Sequence, residues 1–594
     1  MTDRKWILKA KRADFDMLAQ QYNIDPVTAR LLVNRDIAFE DFESFLHPKE
    51  SDFCDPYLME DMNRGVRVII HSIEEGHKIR IISDYDVDGV MSNYILYKGL
   101  KRVGADVDYI IPHRIKDGYG ISEELIDNAI NDGVNTIITC DNGISEYAMV
   151  AKAKEAGISV VITDHHDIPY TIVDEKKEFI LPPADAVIDP KKESCKYPFK
   201  DLCGAGVAFK FVQCLYETRE IPAEELEGFL EFVAIATICD VVSLTGENRI
   251  FAVKGLNKIK YTDNTGLNAL IRVNELGDIP VTAYHVGFRI GPCINASGRL
   301  ESAMEAMDLF LEEKAEDALL KAENLKKIND ERKEMTAVAV DKACEIADTM
   351  QQDKVYVIYL PDCHESIAGI IAGRIREKYN RPTLIVTDCD DEALVKGSGR
   401  SMDGYHMRNA LFECEDILLA YGGHSGAAGF LLNRDDLDEL RRRLNENCTL
   451  TEDDFIPKVY IDIAMPTSYV TEKLIEEIDS LAPFGQGNPK PQFAQKDVNV
   501  LSAKILGKEQ NVVKMSFETP DGYKGEAIYF NAPEFSDSIV EWFGQEEYDK
   551  LLHGWLNNVM LNVVYYPSVN EFNGIRTIQF QIKEYSMAAV REVL

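Results

Sequence analysis

The sequence predicts an α/β protein with four successive parts: a parallel-sheet lobe, a long helical connector, a smaller α/β lobe and a C-terminal OB-like β-barrel. Three observations support this prediction. From His77 onward, short apolar runs rich in β-branched residues alternate with amphipathic stretches that end in glycine. A long helical pattern then separates two such α/β regions. After about Thr451 the chain becomes a series of short strand patterns, typical of a small barrel.

The strand patterns of the first lobe are short and apolar, as expected of strands that helices cover on both faces. They lie at residues 78–83, 107–111, 136–140, 159–163 and 186–189. The second lobe has strand patterns at 354–360 and 382–387, followed by a glycine-rich stretch at 396–401. This stretch is expected to be a flexible source of backbone amides, with a tight turn as the plain structural alternative. The helical pattern at about 303–350 connects the two lobes.

A chain of 594 residues is too long for one core, so roughly three or four domains are expected. The shifts in pattern divide the chain into five consecutive segments. These are an N-terminal segment (1–60), the first lobe (61–300), the connector (301–350), the second lobe (351–450) and the barrel domain (451–594).

The net charge is strongly negative, because 65 lysines and arginines face 101 acidic residues, which gives −36. A protein that grips nucleic-acid phosphates normally shows a basic surface. Most of the acidic residues are expected to solvate outer helix faces. Any phosphate-binding groove must therefore be a local feature of the surface.

The cysteines and the apolar runs indicate the compartment. The 12 cysteines are scattered without a CxxC pair, which disfavours a zinc ribbon or a disulfide framework and favours a reducing cytoplasm. No run reaches the roughly 18 apolar residues of a membrane helix, and the charged start does not resemble a signal peptide. We therefore expect a cytoplasmic protein without membrane association.

The strongest chemical signal is a cluster of three aspartates, Asp84, Asp86 and Asp88, directly after the strand pattern at 78–83. Their spacing mimics a calcium loop, but such a loop needs a glutamate at its twelfth position, where Ile95 stands, and a preceding helix. The stretch Asp-Val-Asp-Gly-Val at 86–90 also resembles the nucleophile motif of haloacid-dehalogenase-like phosphatases. A polar turn that caps the next helix is the plain structural alternative.

Two further strand patterns end in the same kind of residue. The pattern at 136–140 leads into Asp141, and that at 159–163 leads into Asp164, His165 and His166. A further acid, Asp240, follows an apolar helix. Because ligands bind at the carboxyl ends of parallel strands, these groups are expected to meet at one edge of the sheet. Oxygen ligands with one or two imidazoles suit Mn²⁺ or Mg²⁺, and the pattern indicates a two-metal centre.

These motifs, in this order, resemble motifs I to IV of the DHH phosphodiesterase superfamily. The stretch Gly-Gly-His-Ser-Gly-Ala-Ala-Gly at 422–429 is similar to the signature of its partner DHHA1 domain. Dehalogenase-like phosphatases lack both the Asp-His-His and the Gly-Gly-His motif, so that alternative falls. The resemblance identifies the lobe at 61–300 as a DHH catalytic domain and the lobe at 351–450 as a DHHA1 domain.

Additional segments narrow the resemblance to the bacterial RecJ exonucleases over residues 81–582. They lie at 117–122, 197–210, 291–300, 396–401 and 481–493, and the barrel at 451–594 resembles the OB-fold domain of that family. The resemblance implies a metal-dependent 5′→3′ exonuclease that hydrolyses single-stranded DNA to 5′-mononucleotides in recombination and repair. Membrane-bound cyclic dinucleotide phosphodiesterases share the core, but they carry transmembrane segments that this sequence lacks.

The resemblance also implies the roles of individual residues. The metal ligands, shared by two ions in the family pattern, are Asp84, Asp86, Asp88, Asp141, His165 and Asp240. Asp141 bridges the ions, and His166 contacts the scissile phosphate or supports the ligands, so Asp141, His165 and His166 are the catalytic candidates. The substrate-binding candidates are Arg289, Arg299, Arg374, Ser398, Arg400, Ser401 and His424.

In the barrel, bases of a single strand can stack on exposed aromatic rings. The candidates are Tyr529, Phe530, Tyr565, Tyr566 and Phe572, although aromatic residues in strands are at least as often part of the core.

Several positions depart from the family pattern. Cys293 stands where the family usually has arginine, and residues 362–366 replace a Trp-His-x-Gly pattern. Ser83 and Ser243 replace a common glycine and proline. None of these changes removes an expected metal ligand, so activity is expected to survive while substrate affinity and preferred length can differ.

Two other functions stay open from the sequence. One is a phosphodiesterase for short oligoribonucleotides or small nucleotides, and the other is a replication scaffold without catalysis, which the complete ligand set disfavours. For the exonuclease, the family implies a monomer with single-stranded DNA as substrate and single-strand binding protein and repair helicases as partners.

Overall fold

A computed structural model describes residues 4–118, 120–173, 176–572 and 574–588, and the side chain of Phe572 lies outside the described part. The chain forms two compact units. The first contains Pro48–Phe455 together with Gly485–Gly487, and the second contains residues 4–47, Ile456–Phe484 and 488–588. None of the described helices combines the length and apolar character that a membrane crossing requires.

The described part of the N-terminal segment holds one strand and three helices: β1 Lys5–Leu8, α1 Phe15–Tyr22, α2 Pro26–Asn34 and α3 Phe42–Leu46. Local capping defines the first two helices. The side chain of Asp14 accepts a hydrogen bond from the amide of Met17, and that of Asp25 accepts one from Val27. Pro26 occupies the first helical position, where a missing N–H is harmless.

The first lobe is a parallel sheet with helices on both faces. Its strands run in the order β3-β2-β4-β5-β8, while β6 and β7 form a separate antiparallel ribbon. Because the strands are parallel and in register, β2, β4, β5 and β8 end at the same edge. Its elements are α4 Met62–Glu74, β2 Lys78–Ser83, α5 Val87–Arg102, β3 Asp106–Ile110, α6 Glu123–Asn131, β4 Thr136–Cys140, α7 Tyr147–Glu155, β5 Ser159–Thr163, β6 Tyr170–Val173, β7 Lys176–Phe179, β8 Ala186–Ile188 and α8 Gly204–Thr218.

A helical region follows. Its helices are α9 Leu230–Cys239, α10 Gly246–Ile259, α11 Thr265–Val273, α12 Ala283–His285, α13 Gly291–Leu300, α14 Met304–Phe310 and α15 Ala315–Ala347. A π-helical turn, Val286–Ile290, joins α12 to α13, so residues 283–300 form one continuous helical run. The 33-residue helix α15 is the core of the predicted connector.

The second lobe contains a mixed sheet in the order β12-β13-β11-β10-β9, of which only the pair β9–β10 is parallel among the described strands. Its elements are β9 Tyr356–Tyr359, α16 Glu365–Tyr379, β10 Thr383–Asp388, β11 Leu394–Arg400, α17 Met407–Phe412, β12 Leu418–Gly423, β13 Ala427–Asn433 and α18 Leu437–Glu446.

The glycine-rich stretch at 396–401 differs from its prediction as a flexible source of backbone amides. Its residues up to Arg400 belong to β11, whose backbone pairs with β10 on one side and with β13 on the other. At position 397 only glycine leaves room for the Phe430 side chain, because an added Cβ would lie 2.0 Å from its ring. The prediction was wrong because glycine indicates either a flexible backbone or a close approach, and the sequence does not separate the two.

The barrel domain is a closed sheet. Its strands run in the order β15-β16-β17-β18-β20-β19, and an additional pairing of β16 with β19 closes the barrel. In the same unit, β1 pairs in parallel with β14. The elements are β14 Lys458–Ile461, β15 Ile463–Ala464, α19 Glu472–Ser480, β16 Phe493–Leu506, β17 Val512–Glu518, β18 Lys524–Tyr529, α20 Ala532–Phe543, α21 Gln545–His553, β19 Met560–Phe572 and β20 Ile575–Met587. The predicted fold class is confirmed.

Three of the predicted stacking rings are part of the barrel core instead. Tyr529, Tyr565 and Tyr566 are at most 8% exposed. The hydroxyl of Tyr565 donates to the Met465 carbonyl, and that of Tyr566 donates to Asp479. Phe530 is 60% exposed and retains the predicted accessibility. The sequence could not assign these rings to a face, because the inward side of a strand depends on how the barrel closes.

We expect a buried ion pair to stabilise the first unit. Lys210 and Glu247 are almost fully buried, with 2.7 Å between ammonium and carboxylate. Lys210→Met leaves the carboxylate buried without its cation, so the free energy of unfolding of this unit should fall by about 3–5 kcal/mol. Guanidinium titration measures the change. The control is Lys254→Met, which removes an exposed pair with Glu50 and should change stability by at most about 1 kcal/mol. Equal effects of the two substitutions would contradict the expectation.

Candidate metal centre and substrate cleft

The carboxyl edge of the parallel sheet carries an acidic residue after each of four neighbouring strands. Asp84 follows β2, Asp141 follows β4, Asp164 follows β5 and Asp189 follows β8. Asp240 joins them from the C-terminal end of α9. The topology therefore gathers at one edge the acids that the strand patterns predicted there.

The loop between β2 and α5 and the first turn of α5 hold the other two predicted acids. Asp86 is the N-cap of α5 and accepts a hydrogen bond from the amide of Gly89. Asp88 lies in the first turn of α5, and its two oxygens accept from the amides of Gly204 and Ala205 at 2.6 and 2.7 Å. Gly204 also leaves room for Asp141, because an added Cβ would lie 2.6 Å from the Cβ of Asp141.

His165 lies at the centre of the site. Its Nε2 atom is 3.0 Å from Asp141, 3.5 Å from Asp88 and 3.8 Å from Asp240. The described residues contain three sets of potential metal ligands, and within each set the ligand atoms lie within 4.8 Å of one another. The sets are Asp84, Asp86 and Asp141; Asp141, His165 and His166; and Asp88, His165 and Asp240. Asp141 and His165 each belong to two of these sets, and of the two only the carboxylate of Asp141 has two oxygens with which it could ligate two ions.

The clustering of buried carboxylates is unfavourable without a cation. Burial and the neighbouring acid Asp86 raise the pKa of Asp84 to about 7 and that of Asp88 to about 7. Burial and Asp88 raise the pKa of Asp240 to about 9 and that of Asp141 well above its usual range. The Oδ1 atom of Asp84 is buried without a hydrogen-bond donor among the described residues. Divalent cations relieve this repulsion, and the oxygen and imidazole donors fit Mn²⁺ or Mg²⁺.

Asp164 organises the loop that carries both histidines, a role that the sequence did not indicate. One of its oxygens accepts from the His165 amide at 2.7 Å and from Nδ1 of His166 at 2.7 Å. The other accepts from the Ile144 amide. Burial works against its charge, but His166 lowers the pKa of Asp164 to about 2. Asp164 in turn outweighs burial and raises the pKa of His166 to about 9.

A cleft of 450 Å³ lies between the first and second lobes, next to the loop that carries Asp84 and Asp86. Tyr85 and Arg114 line it from the first lobe, and the guanidinium of Arg114 lies 4.3 Å above the Tyr85 ring. The second lobe contributes polar groups from α16 and from β11. They are Glu365, Ser366, Lys396 and Ser398.

Arginines concentrate positive charge beside this cleft. Burial and the nearby Arg114, Arg332 and Arg400 lower the pKa of Arg299 to about 10. Burial and Arg114 also lower the pKa of Arg400. The Nε atoms of Arg114 and Arg332 are buried without an acceptor in the described part of the chain. Guanidinium groups that repel one another and keep N–H donors without acceptors favour an anionic ligand such as a phosphodiester.

Comparison with known proteins identifies the family of the chain that carries this site. Sequence models of the DHH family N-terminal domain, the DHHA1 domain and the RecJ OB domain match residues 78–237, 352–449 and 461–584. The single-stranded-DNA-specific exonuclease RecJ of Bacillus subtilis (strain 168) is 34% identical over 97% of this chain and 69% of its own length. The chain belongs to the RecJ family.

Further relatives match most of the chain. RecJ of Haemophilus influenzae is 31% identical over 89% of this chain and 91% of its own length. The crystal structure of RecJ from Thermus thermophilus in complex with Mn²⁺ superposes with a TM-score of 0.81 at 25% identity, and covers 98% of this chain and 80% of that chain. The three family domains fall inside the segments expected at 61–300, 351–450 and 451–594.

The structure separates the expected substrate residues of this RecJ-family chain into two groups. Arg299, Ser398 and Arg400 lie at the cleft: Arg299 donates to the Ser366 carbonyl at 2.6 Å, and Arg400 donates to the Ser398 hydroxyl at 3.3 Å. The other residues lie on the surface or make local contacts. Arg289 is exposed and donates to the Asn274 carbonyl, and Arg374 is exposed near Arg332.

Ser401 and His424 lie where β11 meets the glycine-rich turn between β12 and β13. The Ser401 hydroxyl donates to the Tyr405 carbonyl, and its amide donates to the Gly426 carbonyl at 2.8 Å, so Ser401 fixes the turn. His424 is exposed on that turn. Burial and Arg400 lower the pKa of His424, whereas Asp167 of the first lobe raises it. The turn therefore lies close to both Arg400 and the histidine loop.

The departures from the RecJ pattern have local structural explanations. Cys293 is fully buried, and its thiol donates to the Arg289 carbonyl at 3.2 Å, so it contributes nothing to the surface. In the segment at 362–366, His364 caps α16, and its Nδ1 atom lies 2.7 Å from the Ser366 hydroxyl. Arg114 and Arg332 were not predicted as site residues. Arg114 lies in the loop after β3 and Arg332 lies on the polar helix α15, and no motif marks either position.

We expect Asp164→Asn to weaken Mn²⁺ binding by roughly 10- to 100-fold, because Asp164 orients both histidines without being an expected ligand. Isothermal titration calorimetry with Mn²⁺ measures the affinity. The control is Asp106→Asn, an exposed aspartate at the opposite edge of the same sheet, which should leave the affinity unchanged. An Asp164→Asn variant that binds Mn²⁺ as tightly as the wild type would refute this role.

Proposed function

We propose that this protein is a two-metal exonuclease that hydrolyses single-stranded DNA from its 5′ end to 5′-mononucleotides in recombination and repair. The observation that carries the proposal is the juxtaposition of the carboxylate cluster with the cleft and the arginines in and beside it. The first fits divalent cations and the second fits phosphodiesters. Its relatives in the RecJ family are named as single-stranded-DNA-specific exonucleases.

Asp84, Asp86, Asp141, His165 and Asp240 are the proposed ligands of two ions, Mn²⁺ or Mg²⁺, with Asp141 shared between them. When bound, such a pair of ions activates water and stabilises the leaving oxygen of a phosphodiester. Asp88 is the sixth proposed ligand, and its bonds to the amides at the start of α8 also fix the loop from β2 to α5.

The remaining side chains position the substrate. Arg114, Arg299 and Arg400 are proposed to hold phosphate oxygens in the cleft, with the Ser398 hydroxyl beside Arg400. His166 is proposed to contact the scissile phosphate, because Asp164 fixes its ring and its Nδ1 atom lies 3.9 Å from Asp141. A 5′-phosphate held by the arginines at the end of the strand accounts for exonuclease polarity.

Other parts of the proposal concern the setting of the enzyme. One chain supplies both the carboxylates and the arginines of the site, which supports a monomer. Its cysteines are free throughout the described structure, which supports the reducing cytoplasm. Single-strand binding protein and repair helicases are the partners that the family implies. The predicted N-terminal segment and domain boundaries at 60, 300, 350 and 450 form part of the same proposal.

We expect Asp141→Ala to lower exonuclease activity by at least about 100-fold, because it removes the shared ligand. The assay follows a single-stranded DNA oligonucleotide, labelled at either end, with Mn²⁺, Mg²⁺ or EDTA. Wild type should release mononucleotides from the 5′ end only with metal, and Asp106→Ala serves as the control. Intact DNA beside cleaved short RNA or dinucleotides would favour a small-nucleotide phosphodiesterase instead. Release from the 3′ end would contradict the proposed polarity.

We expect Arg400→Met to weaken single-stranded DNA binding and to make it less dependent on salt, because one phosphate contact is lost. The slope of log affinity against log salt should decrease in magnitude by about 0.7. Fluorescence anisotropy in EDTA measures binding without cleavage. The control, Arg442→Met, removes an exposed arginine that pairs with Glu439 on α18. A slope equal to that of the wild type would exclude Arg400 as a phosphate contact.

A further inference from the structure

Two aromatic side chains are exposed side by side on the helical run 283–300. Tyr284 is 61% exposed and Phe288 is 67% exposed. Their ring centroids are 4.9 Å apart, and the ring planes differ by 26°, so the rings are stacked. The two residues are four positions apart in the sequence, which places both side chains on one face of the helical run. An open face made of two parallel rings is a surface on which a further flat ring can stack.

The opposite face of the run holds this ring pair in place. Val286 and Ile290 are fully buried. The Cys239 thiol lies 3.9 Å from the Val286 carbonyl, and the side chain of Ile238 lies beside Gly287. Residues 238 and 239 are the last turn of α9, whose next residue is the proposed ligand Asp240. The ring pair therefore stands on an element that packs directly against the metal centre.

The same helical run connects the ring pair to the substrate cleft. Arg299, at the far end of the run, belongs to the arginine cluster and donates to the Ser366 carbonyl. A helix rises 1.5 Å per residue, so the 15 residues from Tyr284 to Arg299 span roughly 22 Å. Val241, which directly follows Asp240, is 64% exposed. A bound strand that leaves the cleft along the helical run can reach the ring pair.

We propose that Tyr284 and Phe288 form a base-stacking platform for the single-stranded nucleic acid that the metal centre cleaves. The proposal rests on the proposed function and adds a contact to bases beyond the phosphates in the cleft. Stacking is independent of sequence, because every base has a flat face. It also provides affinity that does not rely on positive charge, which suits a chain whose net charge is −36.

The test measures the affinity of the full-length protein for a single-stranded oligonucleotide by fluorescence anisotropy in EDTA. Phe288→Ala and Tyr284→Ala should each weaken binding by roughly fivefold or more. Tyr284→Phe should bind like the wild type, because the ring is kept. The control is Tyr261→Ala, which removes a 72% exposed ring from elsewhere on the same lobe and should leave the affinity unchanged.

Abasic sites identify the contact directly. An oligonucleotide that lacks the stacked base should bind the wild type more weakly, by a factor similar to the loss in Phe288→Ala. The same abasic site should cause no further loss in Phe288→Ala, because the ring and the base form one contact. Additive losses at every abasic position, or alanine variants that bind like the wild type, would overturn the proposal.

The variant Phe288→Trp tests stacking without removing the ring, so the result does not depend on whether the alanine variants fold. The described first unit contains no tryptophan, since the three in the sequence are Trp6, Trp542 and Trp555. Phe288→Trp keeps a ring and should show fluorescence quenching on oligonucleotide binding beyond that of the wild type. Absence of extra quenching in a variant that binds normally would count against stacking. Because binding is measured without cleavage, failure of the platform and failure of the exonuclease proposal are distinguishable.

Discussion

The electrostatic repulsion among carboxylates at one edge of a parallel sheet is the constraint on which the site depends. The register of β2, β4 and β5 brings their carboxyl ends together, so the acids that follow these strands meet in a partly buried space. The fold supplies backbone amides to Asp88 and to Asp164. It supplies no donor to Oδ1 of Asp84 within the described residues, and it raises the pKa of Asp141. Divalent cations complete this arrangement, and the hydrolytic chemistry follows from their presence.

The arginines show the opposite imbalance. Burial and the nearby charge of Arg114 lower the pKa of both Arg299 and Arg400, and this surplus of positive charge lies beside the acidic centre. A chain with a net charge of −36 repels nucleic acid over most of its surface. The local field of the cluster therefore makes the cleft the favoured site for a phosphate backbone. The overall charge of a protein says little about the charge of its active site.

The sequence predicted that the acids and histidines meet at one edge of the sheet, because the strand patterns end directly at these residues, as at Asp141 and His165. Family motifs pointed to Arg299 and Arg400, which lie beside the cleft. Arg114 and Arg332 could not be predicted, since tertiary packing brings them close to Arg299 from segments without a motif. The glycine-rich strand β11 and the buried ring of Tyr565 were misjudged for a related reason. Whether a residue faces a core or a ligand depends on how sheets close and pack, which a local pattern does not contain.

The central claim is that Asp141 is shared by two divalent ions. The most direct test is to titrate the protein with Mn²⁺ and to record its electron paramagnetic resonance spectrum at saturation. The account predicts two Mn²⁺ ions per chain, with the spectrum of an exchange-coupled pair, as expected for ions about 3.5–4 Å apart that share a carboxylate. A single bound ion, or two ions with the spectrum of isolated Mn²⁺, would contradict it.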